Sequence, residues 1–440
     1  MRLFPVLKQL ITVYIKPFQY HTQGSTWHLT SHHAITNAHC DLVITIPRME
    51  MRRYMVIEIH KNDDSVKETD LWHNRNILPQ RYEHFQFERT FTYFPYLCHM
   101  KTNINLKPYN SFGFDVVAKY FIEINDIQEL EALIHSEKFK NEKHLILSGG
   151  NNILFQNEFF DGIVVHINTK GIEILQEKGN GIIIRAQAGE DWPEFVKMMV
   201  GKGLHGVENL ALIPGKVGAA PVQNIGAYGM EQKDSFLQCE AIELTTGKTK
   251  IFTKDECRFG YRESIFKNEL KGQYIITSVD FLLHKQAELN LKYGNIKDYL
   301  SEHGIETPTL QQLHDAICEI RDAKLPDVKQ IGNAGSFFKN PVISIEAFEA
   351  LAKEYPEIKA KAFDDPNDPI VKKIPAGWLI EQAGWKGWRN EHVGVYEKQA
   401  LILVHYGGGK GQDIMELAQK IQDSVEEKFG IQISPEVNFV

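Results

Sequence analysis

A serine hydroxyl set between a glycine and two phenylalanines is the first group in this sequence with evident chemistry. Ser336 lies in Gly332-Asn333-Ala334-Gly335-Ser336-Phe337-Phe338-Lys339-Asn340-Pro341, a composition poor for both helix and strand interiors. Gly332 and Gly335 let the backbone adopt unusual dihedrals or approach a ligand closely. The same residues also fit a plain turn between domains. Two further groups are set up for chemistry. Arg262 has Tyr261 and Phe266 nearby, where a shielded guanidinium binds carboxylate well, or it stands on the surface as an ordinary arginine. Glu436 follows Pro435 among apolar residues, where burial would favour its neutral form, or it is an exposed terminal carboxylate.

Two other stretches bear on ligand binding. Ser148-Gly149-Gly150-Asn151-Asn152 follows the buried run 144–147, and such a turn points bare backbone N–H groups at a pyrophosphate or is simply a turn. It is not G-x-G-x-x-G, so no Rossmann domain is expected. Residues 213–229 are small and almost uncharged. They suit close backbone contact with a flat apolar ligand such as a flavin ring, or a tightly packed buried loop.

The elements that must position these groups are legible in outline. Strands are expected at 118–124, 144–147, 162–167, 181–187 and 400–404, and a hairpin over 241–252 turning at Thr246-Gly247. Helices are expected from 127 behind an Asn125 or Asp126 cap, from Asp191 through Val200, and over 310–323, 344–354 and 376–382. A last helix is expected to be capped by Asp413 and ended by Gly430. Gly407–Gly411 lacks the full P-loop pattern and reads as a flexible turn.

The 440 residues are 43% hydrophobic and 24% charged, ordinary globular composition for two to four domains. No apolar run is long enough to span a bilayer, no signal peptide is read, and the net charge of −8 argues against a nucleic-acid surface. Five dispersed cysteines without C-x-x-C fit a reduced cytoplasmic protein with no structural metal.

Residues 1–99 look foreign to the rest. They hold nine of the 18 histidines and a charge of +2, with no sustained period beyond short pieces such as 54–59. Residues 34–40 faintly resemble the histidine motif of trypsin-like proteases, but no Gly-Asp-Ser-Gly follows. We expect 1–99 to be poorly structured, a disordered or artefactual extension, with the functional protein beginning at or near Met100.

Residues 101–440 resemble UDP-N-acetylenolpyruvoylglucosamine reductase, the flavoenzyme that completes UDP-N-acetylmuramate for peptidoglycan, and with it serves cell-wall biogenesis, cell shape and division. The resemblance runs, in the family's order, through SGGNNILF, NLALIPGKVGAAPVQNIGAYG, CRFGYRESIFK, AKLPD, GNAGSFFKNP, AGWLIEQAG and PEVNFV. It implies an α+β chain: a two-part FAD-binding region of the vanillyl-alcohol-oxidase-like (PCMH-type) class, over 101–170 and 171–330, an α+β substrate-binding domain over 331–430, and a C-terminal segment, 431–440, returning to the active site. FAD is implied as cofactor and NADPH as hydride donor. The partners are then a UDP-sugar and NADPH, with no nucleic acid and no membrane insertion, and the protein a monomer. FAD contacts carry over to Ser148, Gly149, Gly150, Asn151, Asn152, Ile213, Pro214, Gly215, Gly218, Ala219, Ala220, Pro221, Asn224, Gly226 and Ala227.

The implied reaction passes a hydride from NADPH through FAD to the β-carbon of an enolpyruvyl ether, leaving carbanion character beside a carboxylate. By the resemblance Arg262 and a protonated Glu436 stabilise that charge, and Ser336 protonates the α-carbon. Tyr293 (in the tyrosine loop of the longer subgroup), Lys324, Asn340 and Gln399 match substrate-contacting positions. Another flavin oxidoreductase on this scaffold, or a non-catalytic flavin or nucleotide-sugar module, would not need Ser336, Arg262 and Glu436 together.

Overall fold

A computed structural model describes residues 100–292, 295–365 and 368–440, together with the backbone of five strands nearer the N-terminus. The chain divides into two units, Met1–Cys98 and His99–Val440. In the first, Phe18–Gln23 and Thr26–Ser31 form a hairpin, and Leu42–Arg48, Arg53–Ile59 and Lys67–Leu71 form an antiparallel meander centred on Arg53–Ile59. That central strand contains the short piece legible at 54–59, and two strands flank it. Pro47 lies in the edge strand Leu42–Arg48, where a missing N–H need not break the ladder. The protease-like stretch 34–40 falls outside the described residues.

The second unit opens with a four-stranded sheet. Its strands are β1 (Lys101–Asn105), β2 (Val117–Ile124), β3 (His144–Leu147) and, beyond the short β4 (Ile153–Leu154), β5 (Phe159–Ile167), in the order β1-β2-β5-β3. β5 pairs in parallel with both β2 and β3, so Val165 lies opposite Ile122 and Ile146. The parallel register needs a crossover, and α1 (Ile127–His135) and α2 (Glu137–Asn141) supply it. Asp126 caps α1 by accepting from the Glu129 N–H at 2.8 Å.

An antiparallel five-stranded sheet follows: β6 (Ile172–Lys178), β7 (Gly181–Gln187), β8 (Phe236–Glu243), β9 (Thr249–Thr253) and β10 (Tyr274–His284), ordered β6-β7-β10-β8-β9. The central β10 is buried along almost its whole length. α3 (Trp192–Gly201), capped by Asp191, lays Trp192 and Phe195 on Phe281 with ring centroids 5.0–5.8 Å apart. After α4 (Ile296–Glu302), α5 (Leu310–Lys324) adds Leu313, Ile317 and Ile320 to the same core.

The rest of the chain builds two small sheets and three helices. β11 (Gly332–Asn333), β16 (Leu403–His405) and β15 (Val393–Val395) form one sheet, and β12 (Val342–Ser344), β14 (Asp368–Lys373) and β13 (Phe363–Asp365) the other. α6 (Ile345–Glu354), α7 (Ala376–Gln382) and α8 (Gly411–Phe429) accompany them. The strand expected over 400–404 forms only at Leu403–His405. Asp413 is not the cap of α8. The helix begins at Gly411, and the Asp413 carboxylate reaches back to accept the Lys410 N–H at 2.7 Å. Gly411 is the buried first residue of that helix, so the Gly407–Gly411 turn ends in a packed position.

The closing strand β17 (Asn438–Phe439) pairs in parallel with β4, immediately after the Gly149-Gly150-Asn151-Asn152 turn. Two hydrophobic cores result. One joins Phe121 and Leu147 of the first sheet, and Leu106 just beyond β1, to Phe337, Phe338, Leu379 and Ile421. The other fills the space beneath the antiparallel sheet.

Candidate active site

The site grows from a two-residue turn. Gly260 N–H donates to the Glu263 carbonyl at 3.0 Å, Glu263 N–H returns to the Gly260 carbonyl at 3.3 Å, and Tyr261 and Arg262 form the tip. Arg262 has a φ of 58°, a conformation that favours glycine, so the fold holds a bulky side chain in a strained position. The guanidinium Nη2 donates to the Gly226 carbonyl at 2.7 Å, and Nε lies 3.1 Å from Glu436 Oε1. Both side chains are largely shielded, at 19% and 13% exposure, which strengthens their attraction relative to a surface pair.

Glu436 is delivered by a strand pairing. Pro435 bridges Phe338 in antiparallel fashion, Glu436 N–H donates to the Phe337 carbonyl at 2.8 Å, and Lys339 N–H donates to the Ser434 carbonyl at 2.9 Å. Ser336 therefore stands one residue before the backbone partner of Glu436, and it is exposed. Asn333 Oδ1 accepts the Gly335 N–H at 3.0 Å, and Phe337 N–H donates to the Leu401 carbonyl at 2.7 Å, fixing the segment on either side of the serine. Asn152, from the Gly-Gly turn, donates through Nδ2 to the Glu436 carbonyl at 3.4 Å and to Gln223 Oε1.

The residues expected to hold FAD form a cradle whose chemistry fits that group. Ser148 Oγ is buried with no partner within the protein, a hydroxyl left for a ligand to satisfy. A Cβ on Gly149 would lie 2.2 Å from Asn151 Oδ1 and 3.0 Å from Gly215 Cα, so the absence of a side chain lets the turn at 148–152 close on the loop at 213–215. On the second loop Gly218 packs on Ala188, where an added Cβ would meet its neighbour at 2.5 Å, and donates its N–H to the Ala188 carbonyl at 2.9 Å. Leu212, Asn224 and Tyr228 all have positive φ, and with Arg262 they are four of the six such non-glycine residues among the described residues. Asn224 is fully buried, and its side chain is used within the protein. Nδ2 donates to the Gly260 carbonyl at 2.9 Å and to Glu231 at 3.1 Å, and Oδ1 accepts the Lys233 N–H at 3.2 Å. Burial, with Lys170 nearby, holds the Lys216 ammonium below the usual lysine range.

The substrate-contacting candidates are more dispersed. Tyr293 lies outside the described residues. Lys324, at the end of α5, donates to Asn295 Oδ1 at 3.0 Å and is exposed. Asn340 Oδ1 accepts the Ala376 N–H at 2.9 Å at the start of α7, and Gln399 Oε1 accepts the Leu401 N–H at 3.3 Å. Ser336 and Asn340 share one segment, which the Phe337–Leu401 bond ties to the neighbourhood of Gln399.

Sequence reasoning overlooked Arg321. Its Nε is buried without a partner, its Nη2 donates to the Leu212 carbonyl at 3.3 Å, and burial pushes the group down from its ordinary value. The signal was there. Arg321 follows Ile317 by four residues on the apolar stripe of α5, a cation where the pattern calls for a hydrophobe. It also overlooked the ion pair between Glu263 and Lys339, at 2.6 Å.

Comparison with known proteins bears on the family and the fold. Residues 326–440 match the family profile described as UDP-N-acetylenolpyruvoylglucosamine reductase, C-terminal domain, and residues 118–253 match that of an FAD binding domain. The chain is 47% identical over 342 residues to the UDP-N-acetylenolpyruvoylglucosamine reductase of Flavobacterium johnsoniae, covering 78% of this chain and 99% of that one. It is 43% identical to the reductase of the same name from Pseudomonas putida, covering 76% and 97%. Among solved structures, the UDP-N-acetylenolpyruvylglucosamine reductase of Thermus caldophilus superposes with a TM-score of 0.53 at 21% identity, covering 77% of this chain and 99% of that one, a likeness of fold.

Proposed function

The chain belongs to the UDP-N-acetylenolpyruvoylglucosamine reductase family, and from that premise we propose that it uses FAD and NADPH to reduce UDP-N-acetylglucosamine enolpyruvate to UDP-N-acetylmuramate. The observation that carries the reading is the shielded Arg262–Glu436 pair, 3.1 Å apart and one residue out of register with Ser336.

FAD, when bound, would supply the redox chemistry that links oxidation of NADPH to reduction of the enolpyruvyl double bond. Everything else falls to the chain. Ser148 through Asn152 and the 213–227 loop are the groups that would hold the cofactor, by the unpaired Ser148 hydroxyl and by backbone that glycine lets come close. Arg321 supplies positive charge behind that loop. Arg262, anchored on the Gly226 carbonyl, supplies positive charge, and Glu436 beside it, acting in its acid form, supplies a hydrogen-bond donor to the negative charge that develops on the substrate carboxylate, where exclusion of water strengthens both. Ser336 is the proton donor to the α-carbon. Its hydroxyl is a weak acid facing a strong carbon base, and a fixed backbone on both sides holds it in place. Lys324, Asn340, Gln399 and Tyr293 bind the UDP-sugar.

The sequence divisions at 101–170, 171–330, 331–430 and 431–440 serve as two cofactor-binding parts, a substrate-binding part and a returning segment. No helix among the described residues is long and apolar enough to cross a membrane, and we place the reaction in the cytoplasm, in peptidoglycan synthesis.

Purified protein should carry flavin absorbance that NADPH bleaches anaerobically and that UDP-N-acetylglucosamine enolpyruvate restores. Flavin that bleaches and is not restored by this substrate would point to another acceptor.

A further inference from the structure

The turn carrying Arg262 is fastened on both flanks. Tyr261, the residue before it, receives the Lys373 ammonium over its ring at 3.6 Å, and Glu263, the residue after it, pairs with Lys339 at 2.6 Å. Both lysines come from the stretch beyond Gly332: Lys373 ends β14, and Lys339 lies three residues past Ser336. The Lys339 N–H is bound to the Ser434 carbonyl, two residues before Glu436. The Glu263–Lys339 pair thus joins, within three residues of each, the turn of Arg262, the segment of Ser336 and the strand of Glu436.

We propose that Glu263 and Lys339 are positioning residues whose ion pair sets Arg262 in register with Ser336 and Glu436, with the Tyr261–Lys373 contact as a second fastening. This deepens the reaction proposed above and rests on it.

The physical case begins with the strain at Arg262. A residue at a φ of 58° does not keep that geometry by its own preference, so its surroundings must impose it. The pair is positioned to do so, with side-chain exposures of 33% for Glu263 and 26% for Lys339. Burial pushes the Glu263 carboxyl up, but hydrogen bonds from Lys339 and from Asn268, the latter at 3.0 Å, outweigh it and hold the group below the usual carboxylate range. An ion pair this exposed contributes at most about 1 kcal/mol, so it shares the holding of the strained turn with the Gly226, Lys267 and Lys373 contacts, and its own effect is chiefly orientation. Orientation matters here because misplacing a reacting group by about 1 Å can slow a reaction by roughly a hundredfold.

The test uses the full-length, FAD-loaded protein and separates the two half-reactions by rapid mixing. Lys339→Met and Glu263→Gln should leave reduction by NADPH near the wild-type rate and slow reoxidation by UDP-N-acetylglucosamine enolpyruvate by about tenfold to a hundredfold. The loss should fall in the limiting rate rather than in the saturation constant for substrate. The swapped pair, Glu263→Lys with Lys339→Glu, should recover most of the lost rate, which a merely structural contribution from either side chain would not do. Retained flavin absorbance identifies folded variants, and Lys339→Gln replaces Lys339→Met if the latter does not retain it. Wild-type reoxidation in the single variants, equal loss in both half-reactions, or a swap no faster than the slower single variant overturns the proposal. Wild-type protein that this substrate does not reoxidise overturns the underlying reaction, and the positioning role with it. That failure shows before any variant is made.

Discussion

The Lys267 ammonium donates to the backbone carbonyl of Arg262 at 3.2 Å, five residues back along the chain. It satisfies a carbonyl whose residue is held in the left-handed region, a conformation worth on the order of 1–3 kcal/mol of strain. Burial, then repulsion from Lys339, depresses the Lys267 pKa, with Glu263 and Glu436 opposing. The folded protein therefore releases this proton at lower pH than the unfolded chain does. Between those two values the unfolded state holds more protons, so stability rises with pH. The urea midpoint of the wild type should climb relative to that of Lys267→Met through the alkaline window below the ordinary lysine value of about 10.4. Parallel profiles for the two proteins would show that Lys267 does not titrate there.

Replacing Ser336 by alanine removes the proposed proton donor and leaves the residues proposed to hold the cofactor untouched. Flavin reduction by NADPH should persist, and reoxidation by the enolpyruvyl substrate should slow by about 10²- to 10⁴-fold. If single-turnover traces show both half-reactions slowed alike, the serine does not donate the proton.

Gly149→Ala should separate folding from cofactor retention. The new Cβ would meet the Asn151 side-chain oxygen at 2.2 Å, which must turn away, and the Gly215 backbone at 3.0 Å, which must give by a few tenths of an ångström. We expect cooperative unfolding to be preserved and flavin affinity to fall by at least about tenfold, roughly 1.4 kcal/mol. Titration of the apoprotein with FAD measures it, and unchanged affinity would mean that the two loops do not close on the cofactor together.

Away from the site, Arg185 and Asp280 form a two-pronged pair across β7 and β10, at 2.7 and 2.9 Å, and Gln238 adds a third bond to Asp280 at 2.8 Å. Asp280 is 1% exposed. Arg185→Met strands that carboxylate and should cost about 3–5 kcal/mol in chemical denaturation. Arg185→Met combined with Asp280→Leu should recover much of the loss, because no buried charge then remains unpaired. A single variant as stable as wild type would mean that water reaches Asp280.

The sequence is most readable where structure is set locally. β3 and β7, the Asp126 and Asp191 caps and the extent of α7 follow from side-chain period and capping chemistry within a few residues. β10 escaped notice, although it centres the larger sheet. Both its faces are covered, so apolar residues run on without alternation, and no period of two marks it. The start of α8 was misplaced because an acidic residue near a helix start fits either the cap itself or the third helical position, and only the backbone distinguishes them. Ser336, Arg262 and Glu436 are visible in the sequence as residues with suitable chemistry. That Glu436 pairs with Arg262, and Glu263 with Lys339, depends on strand register between distant segments, which no local pattern encodes.

The return of the closing strand to β4 also has a kinetic side. The bonds from Asn152 to Glu436 and from Asn438 to Asn152 close loops of 284 and 286 residues, whereas the antiparallel sheet holds neighbours such as β6 and β7, joined by a short turn. Long loops close late, because their entropy must be met before their contacts repay it. During refolding, much of the molecule can reach its native arrangement while Glu436 is still away from Arg262. The capacity to turn over substrate should therefore return after most of the secondary structure has already formed.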